Sequence, residues 1–260
     1  MPQDIILSEH LTEGLVLALD NVGKTFASNR RMPIQALDHL DLRVKEGEFV
    51  ALIGPTGCGK TTVLNIVAGL EAPSEGAVRR ADGLSPERDI AFVFQHYTLF
   101  PWRRVLRNVT FGLEMRRAPR VEREAIAKAL LREVGLQGFE RAFPHELSGG
   151  MRQRAAIAQA LATHPRMILM DEPFGALDEL TREALQEMLS DLWLERRPTV
   201  LFVTHNVEEA IIMADRVAVM RSRPGRIISE INVNMPRPRN RLDSTFISIC
   251  EDVRRILRTT

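Results

Sequence analysis

At 260 residues with 45% hydrophobic side chains, the chain has enough apolar surface for one large domain or two small ones without disulfide or metal staples. Thirty-five basic residues against 34 acidic leave a net charge of +1, which excludes a global field for nucleic acid and confines any basic surface to local patches. Cys58 and Cys250 make no disulfide framework, and no apolar run approaches the roughly 20 residues that span a bilayer.

The start, MPQDIILSEH, lacks the basic and apolar regions of a signal peptide, so a reducing cytoplasm is the expected compartment. Short apolar runs follow at 15–19, 48–54, 90–94, 166–171, 199–204 and 216–220. Segments of period 3.6 separate several of them; in one, over about 179–196, Leu180, Ala184, Leu185, Met188, Leu189, Leu192 and Trp193 share a face. Near-continuous apolar strands between amphipathic helices predict an α/β fold with a parallel sheet covered on both faces. Residues 96–160 break the rhythm and read as a mainly helical insertion, a subdomain rather than a linker. The Pro- and Arg-rich stretch 235–242 is expected to be extended, followed by a short helix with Phe246, Cys250, Val253 and Leu257 on one stripe.

The strand at 48–54 runs directly into Gly54-Pro55-Thr56-Gly57-Cys58-Gly59-Lys60-Thr61-Thr62, and an apolar helical run follows. This is the G-x-x-x-x-G-K-[ST] phosphate loop in its required strand-loop-helix setting. Backbone N–H groups and the positive helix end cradle phosphates there. Lys60 is expected to reach the β- and γ-phosphates of ATP or GTP, and the Thr61 hydroxyl to ligate Mg²⁺. At the carboxyl end of the 166–171 strand stand Asp171 and Glu172, where an open parallel sheet binds ligands. Asp171 would hold the metal through water, and Glu172 would activate the attacking water as general base; the alternative for Glu172 is a residue that begins the turn at Pro173. A second anion-binding feature lies at Ser148, Gly149 and Gly150. There a serine and two glycines head an alanine-rich helix, although glycine costs a helix interior about 1 kcal/mol.

With these residues in order, the chain resembles the nucleotide-binding subunit of an ATP-binding cassette (ABC) transporter over roughly residues 15–235, leaving 236–260 as a C-terminal extension. Leu147-Ser148-Gly149-Gly150-Met151 is similar to that family's signature, with Met151 where glutamine is more usual. The resemblance implies a RecA-like core, an N-terminal antiparallel β subdomain and a helical subdomain. It also implies a second ATP-binding subunit paired head to tail, so that the signature of one chain closes on the ATP in the other's loop. Two helix starts suited to anions, with one lysine-bearing loop per chain, agree with a shared ligand.

The same resemblance gives Phe26 an adenine-stacking role, which a core aromatic after a strand also fits. It gives Gln95 a Mg²⁺-ligating and γ-phosphate-sensing role, Asp178 a place at the dimer interface, and His205 contact with the γ-phosphate and with Glu172. His96-Tyr97-Thr98-Leu99-Phe100-Pro101-Trp102 falls where the family grips a helix of a membrane subunit, though Phe100 and Trp102 equally suit a helical core. The stretches FPWRRVLRNVTFGLEM and SRPGRIISEI resemble the importer branch for nitrate, sulfonates, taurine and similar small anions. The partners so implied are two transmembrane permease subunits and, indirectly, an extracytoplasmic solute-binding protein, with the ATPase peripheral on the cytoplasmic face of the inner membrane. The alternative, a non-transport ABC ATPase of DNA repair or translation, is disfavoured by the neutral net charge and the short insertion.

Overall fold

Strand periodicity sorts the chain into two sheets. The computed structural model describes residues 14–27, 32–95 and 98–259, so MPQDIILSEH and His96-Tyr97 lie outside the described residues. In chain order these form β1 (Leu15–Phe26), β2 (Ile34–Lys45), β3 (Phe49–Ile53), α1 (Lys60–Val67), β4 (Glu75–Arg80), α2 (Pro86–Asp89) and β5 (Ile90–Val93). Helices α3 (Val105–Val109), α4 (Phe111–Met115), α5 (Arg120–Glu133) and α6 (Gly149–Leu161) precede β6 (Met167–Asp171). Then come α7 (Glu179–Arg196), β7 (Thr199–Thr204), α8 (Val207–Met213), β8 (Arg216–Arg221), β9 (Arg226–Asn232) and α9 (Ser244–Arg258).

The larger sheet has the order β5-β6-β7-β3-β8-β9; its first five strands pair in parallel, and β9 joins antiparallel to β8. Both faces are covered. Phe49, Ala51 and Ile53 belong to one apolar cluster, whereas Val50 and Leu52, one residue out of step, belong to another. The expected α/β class with a parallel core is therefore the one observed. The 15–19 run does not join it: it is part of β1, which pairs antiparallel with β2 and β4 in a separate three-stranded sheet. The link between β1 and β2 is too short for the dozen or more residues of a parallel crossover.

That small sheet and α1 cover one face of the core through Leu17, Leu19, Leu40, Leu42, Val63 and Leu64. On the other face Phe49 meets Trp193 and Phe202 edge-on, with ring centroids 5.9 and 6.0 Å apart. Trp193 comes from α7, which begins where the Asp178 carboxylate accepts from Thr181 N and ends at Arg197, in the left-handed region just before Pro198. Leu185, Leu189, Leu192 and Trp193 form its buried stripe, but Leu180 and Ala184, four residues apart on a neighbouring row, fall off it and are exposed, Leu180 by 79%.

The tail is more ordered than its composition suggests. Helix α9 spans 15 residues, with Phe246, Cys250 and Val253 buried on the predicted stripe. Ahead of it Arg239 is buried, donating to the carbonyls of Ile211, Ala214 and Val233. It caps the end of α8, and burial draws its pKa down to about 10. Among the described residues, no helix is long and apolar enough to cross a membrane.

Candidate functional site

Four adjacent parallel strands, β5, β6, β7 and β3, deliver Gln95, Asp171 with Glu172, His205 and the 54–59 loop to one sheet edge. This is the carboxyl edge, where strand order rather than sequence proximity brings side chains together.

The loop folds as its glycines require. Gly57 and Gly59 have φ of 79° and 95°, a region costly for residues with a Cβ. Gly59 caps α1 without a side-chain acceptor, so the helix opens with free N–H groups. Lys60 is buried, and its ammonium donates to the carbonyls of Gly54 at 2.8 Å and Pro55 at 3.2 Å, with the Cys58 sulfur 3.9 Å away. Burial pushes the Cys58 thiol up, so it stays protonated and inert. A buried cation held only by neutral partners beside uncapped N–H groups suits a polyphosphate.

The Thr61 hydroxyl donates to Asp171 Oδ2 at 2.9 Å. With the Gln95 amide nearby in the strand order, the oxygen donors are hard ones, suited to a magnesium ion shared with phosphates rather than caged by protein alone. Among the described residues, no group of three or more His, Cys, Asp or Glu suited to a metal occurs.

Glu172 is the meeting point: its Oε2 lies 3.1 Å from His205 Nδ1 and accepts from Gln95 Nε2 at 3.3 Å. Its backbone has φ of 43°, a left-handed conformation unusual for glutamate. The peptide is anchored there by the bond from Glu172 N to Val203 O, 2.9 Å. A carboxylate flanked by an imidazole and an amide is a suitable general base.

Burial is the largest influence on Asp171 and raises its carboxyl above the ordinary aspartate value of 3.8, partly offset by the Thr61 hydroxyl. The folded chain thus holds that proton more tightly than the unfolded one. The associated stability is present below the unfolded value and is lost as pH rises through the folded value. At neutral pH the ionised group is a liability. Asp171→Asn, which retains an acceptor for Thr61, is expected to raise Tm at pH 7, with the gain shrinking as pH falls and the parent carboxyl takes up its proton. A lower Tm by calorimetry would contradict this.

Other predicted residues stand apart. Ser148 caps α6, its hydroxyl accepting from Met151 N at 3.3 Å. Among the described residues, no hydrogen bond or ion pair joins this helix start to the phosphate loop. Gly150 has a packing reason of its own, since a Cβ there would sit 2.3 Å from Thr181 Cγ2. Asp178 caps α7, and the Thr181 backbone N–H holds its carboxyl below the usual range. Phe26 ends β1, partly exposed, with the Lys24 ammonium 4.9 Å from its ring centre. Phe100 is half-buried against Phe111, centroids 4.7 Å apart, while Trp102 is 73% exposed. Of that stretch Leu99 is in the core, Phe100 lies at its margin and Trp102 is on the surface.

A residue without an assigned role also supports the loop. Gly225, in the turn between β8 and β9, lies so close that a Cβ would fall 2.1 Å from the Cys58 carbonyl oxygen. The Pro224-Gly225 pair marks the turn in the sequence, but its neighbour across the fold is not legible there. Gly225→Ala is expected to displace the loop by overpacking worth roughly 1–3 kcal/mol. About a tenfold rise in Kd for ATP should follow, measured by nucleotide titration; an unchanged Kd would mean the contact relaxes elsewhere.

Comparison with known proteins matches residues 37–175 to the ABC transporter family. The chain is 41% identical over 254 residues to the nitrate import ATP-binding protein of Synechocystis, covering 93% of this chain and 95% of that one. It is 42% identical over 256 residues to the taurine import ATP-binding protein of Rhizobium johnstonii, covering 94% and 97%. Among solved structures, a bacterial ABC transporter cassette, 35% identical, aligns over 85% of this chain and all of its own with a TM-score of 0.74. That cassette was solved as a dimer, once in a post-hydrolysis state bound to ADP and phosphate.

Proposed function

The chain belongs to the ABC transporter family and is an ABC ATPase; from that premise we propose that it is the energy-coupling subunit of an importer for a small anionic solute. The observation that carries the catalytic part is Glu172 held between Gln95 and His205, on the sheet edge that also holds the phosphate loop. Near full-length similarity to nitrate and taurine import subunits supports the solute class.

In this reading Phe26 receives the adenine. Gly54, Pro55, Thr56, Gly57, Cys58 and Gly59 present backbone N–H groups, while Lys60 offsets phosphate charge and Thr61 and Thr62 close the loop. Thr61, Gln95 and Asp171 are the residues that would hold Mg²⁺, Asp171 through water. The ion, when bound, offsets charge on the phosphates. Glu172 takes a proton from the attacking water. His205 keeps the Glu172 carboxylate aimed and contacts the γ-phosphate. Ser148, Gly149, Gly150 and Met151 serve the nucleotide of a second copy, because their own chain's loop does not use them, and Asp178 lies at the shared interface. The exposed Trp102 and its neighbours receive a cytoplasmic helix of one of two permease subunits. The ATPase is peripheral to the membrane, and the solute is chosen by an extracytoplasmic binding protein.

The test is to purify the chain with its permease and measure ATP hydrolysis with binding protein loaded with nitrate, taurine or an alkyl sulfonate. Stimulation by one of these anions is expected; stimulation only by a neutral or cationic solute would overturn the solute class.

A further inference from the structure

Two buried or half-buried charges, Glu209 on α8 and Arg182 on α7, have no part in the site as described. Glu209 is 5% exposed, an unusual place for a carboxylate without a strong structural reason. Its Oε2 accepts from the Thr204 hydroxyl at 2.6 Å, and Thr204 immediately precedes His205. The same hydroxyl accepts from Asn206 N at 3.0 Å, and the Asn206 side chain caps α8 through Glu208 N and Glu209 N. The peptide that carries His205 is thus fastened on both sides by one network ending on Glu209.

The other oxygen of Glu209 faces Arg182, with Nε 3.5 Å from Oε1. Arg182 Nη2 donates to the carbonyl of Leu177 at 2.9 Å, and Leu177 immediately precedes Asp178. Its Nη1 reaches Glu179 at 3.0 Å. Thr181, the neighbour of Arg182, is the residue against which Gly150 packs. The first turn of α7 therefore gathers the Asp178 turn, held by the Arg182 guanidinium, and the start of α6, packed on the adjacent Thr181, and the ion pair of Arg182 with Glu209 links this turn to the His205 peptide.

We infer that Arg182 and Glu209 form a strut that transmits the position of the Asp178 turn and the Ser148 helix start to His205, and through it to Glu172. They are positioning residues; neither touches the phosphates. The inference rests on the functional reading above, in which Asp178 and Ser148 meet a second copy while Glu172 and His205 act on the chain's own nucleotide. Under it, arrival of the partner is felt at the chain's own carboxylate without any direct contact. Misplacement of a reacting group by about 1 Å costs on the order of a hundredfold in rate, so a flexible strut suffices to lower turnover.

Arg182→Met, Glu209→Gln and their double variant test it, each confirmed as folded by thermal melting. Each single change is expected to lower kcat about tenfold or more with KM for ATP within about twofold, because the phosphate loop, Lys60 and Thr61 are untouched and only the aim of His205 shifts. The double variant is expected to be no slower than the worse single one, since either change breaks the same link. Arg182→Lys, which keeps the charge but not the forked contacts, should recover part of the rate. Multiplicative losses, or kcat at the wild-type level, would overturn the strut. If Glu209→Gln does not fold, the Arg182 pair decides alone: a kcat loss at constant KM with partial recovery in lysine supports it, and any other pattern overturns it. Glu172→Gln run in parallel separates the two readings. An active Glu172→Gln would remove the catalytic assignment, whereas an inactive one beside fully active strut variants would remove only the strut.

Discussion

Glu172→Gln is expected to bind ATP as the parent does and to hydrolyse it at least 10²–10⁴ times more slowly, the usual worth of a general base. The substitution is nearly isosteric. Its amide can still meet Gln95 and His205, so the left-handed peptide at 172 and the contacts at 3.3 and 3.1 Å have no reason to rearrange. What disappears is the basic lone pair that accepts the proton. Because hydrolysis is blocked while the nucleotide contacts of Lys60 and Thr61 persist, a dimer held together by ATP is expected to accumulate. Single-turnover kinetics and size-exclusion chromatography with ATP read the two effects separately. Turnover at the parent rate would leave Glu172 as the residue that opens the Pro173 turn and nothing more.

Ser148→Arg is the second change of large effect. The side chain caps α6 at the surface, so the cost to folding is that of a lost N-cap, about 1 kcal/mol. The cost to catalysis is expected to be far larger, at least a hundredfold in kcat, because under the proposed function a bulky cation replaces a small donor that faces a second chain's phosphates. ATP binding by the isolated monomer should be unchanged, since no contact links Ser148 to its own phosphate loop among the described residues. Equilibrium binding on dilute protein is the check. Loss of monomer binding would make the helix start part of a site within one chain.

How much of this is legible in the sequence depends on whether a feature is local. The phosphate loop is legible because its glycines must adopt φ of 79° and 95° and must sit between a strand and a helix, all within nine consecutive residues. Asp171 and Glu172 are legible because an apolar strand ends on them. Strand β2, IQALDHLDLRVK, alternates buried and exposed positions as a one-sided strand does, yet its many polar residues hide it from a search for apolar runs. Strands β4 and β9 are obscured for the same reason, being edge strands with exposed faces. Gly225 against Cys58, and Arg182 against Glu209, are invisible beforehand because each pair is joined only by the tertiary fold. Gly150 shows the reverse: its composition signals an anion site, and the fold adds a neighbour, Thr181, that would exclude a side chain regardless.

The central claim is that one copy of this chain owns half of each working centre, the phosphate loop with Glu172 on one side and the Ser148 helix start on the other. ATPase rate per molecule, measured against concentration of the purified chain at saturating ATP, tests it most directly. A rate that falls toward zero on dilution, in proportion to protein concentration in the dilute limit, is the predicted result. A rate per molecule that stays constant down to concentrations where the chain is wholly monomeric would contradict it.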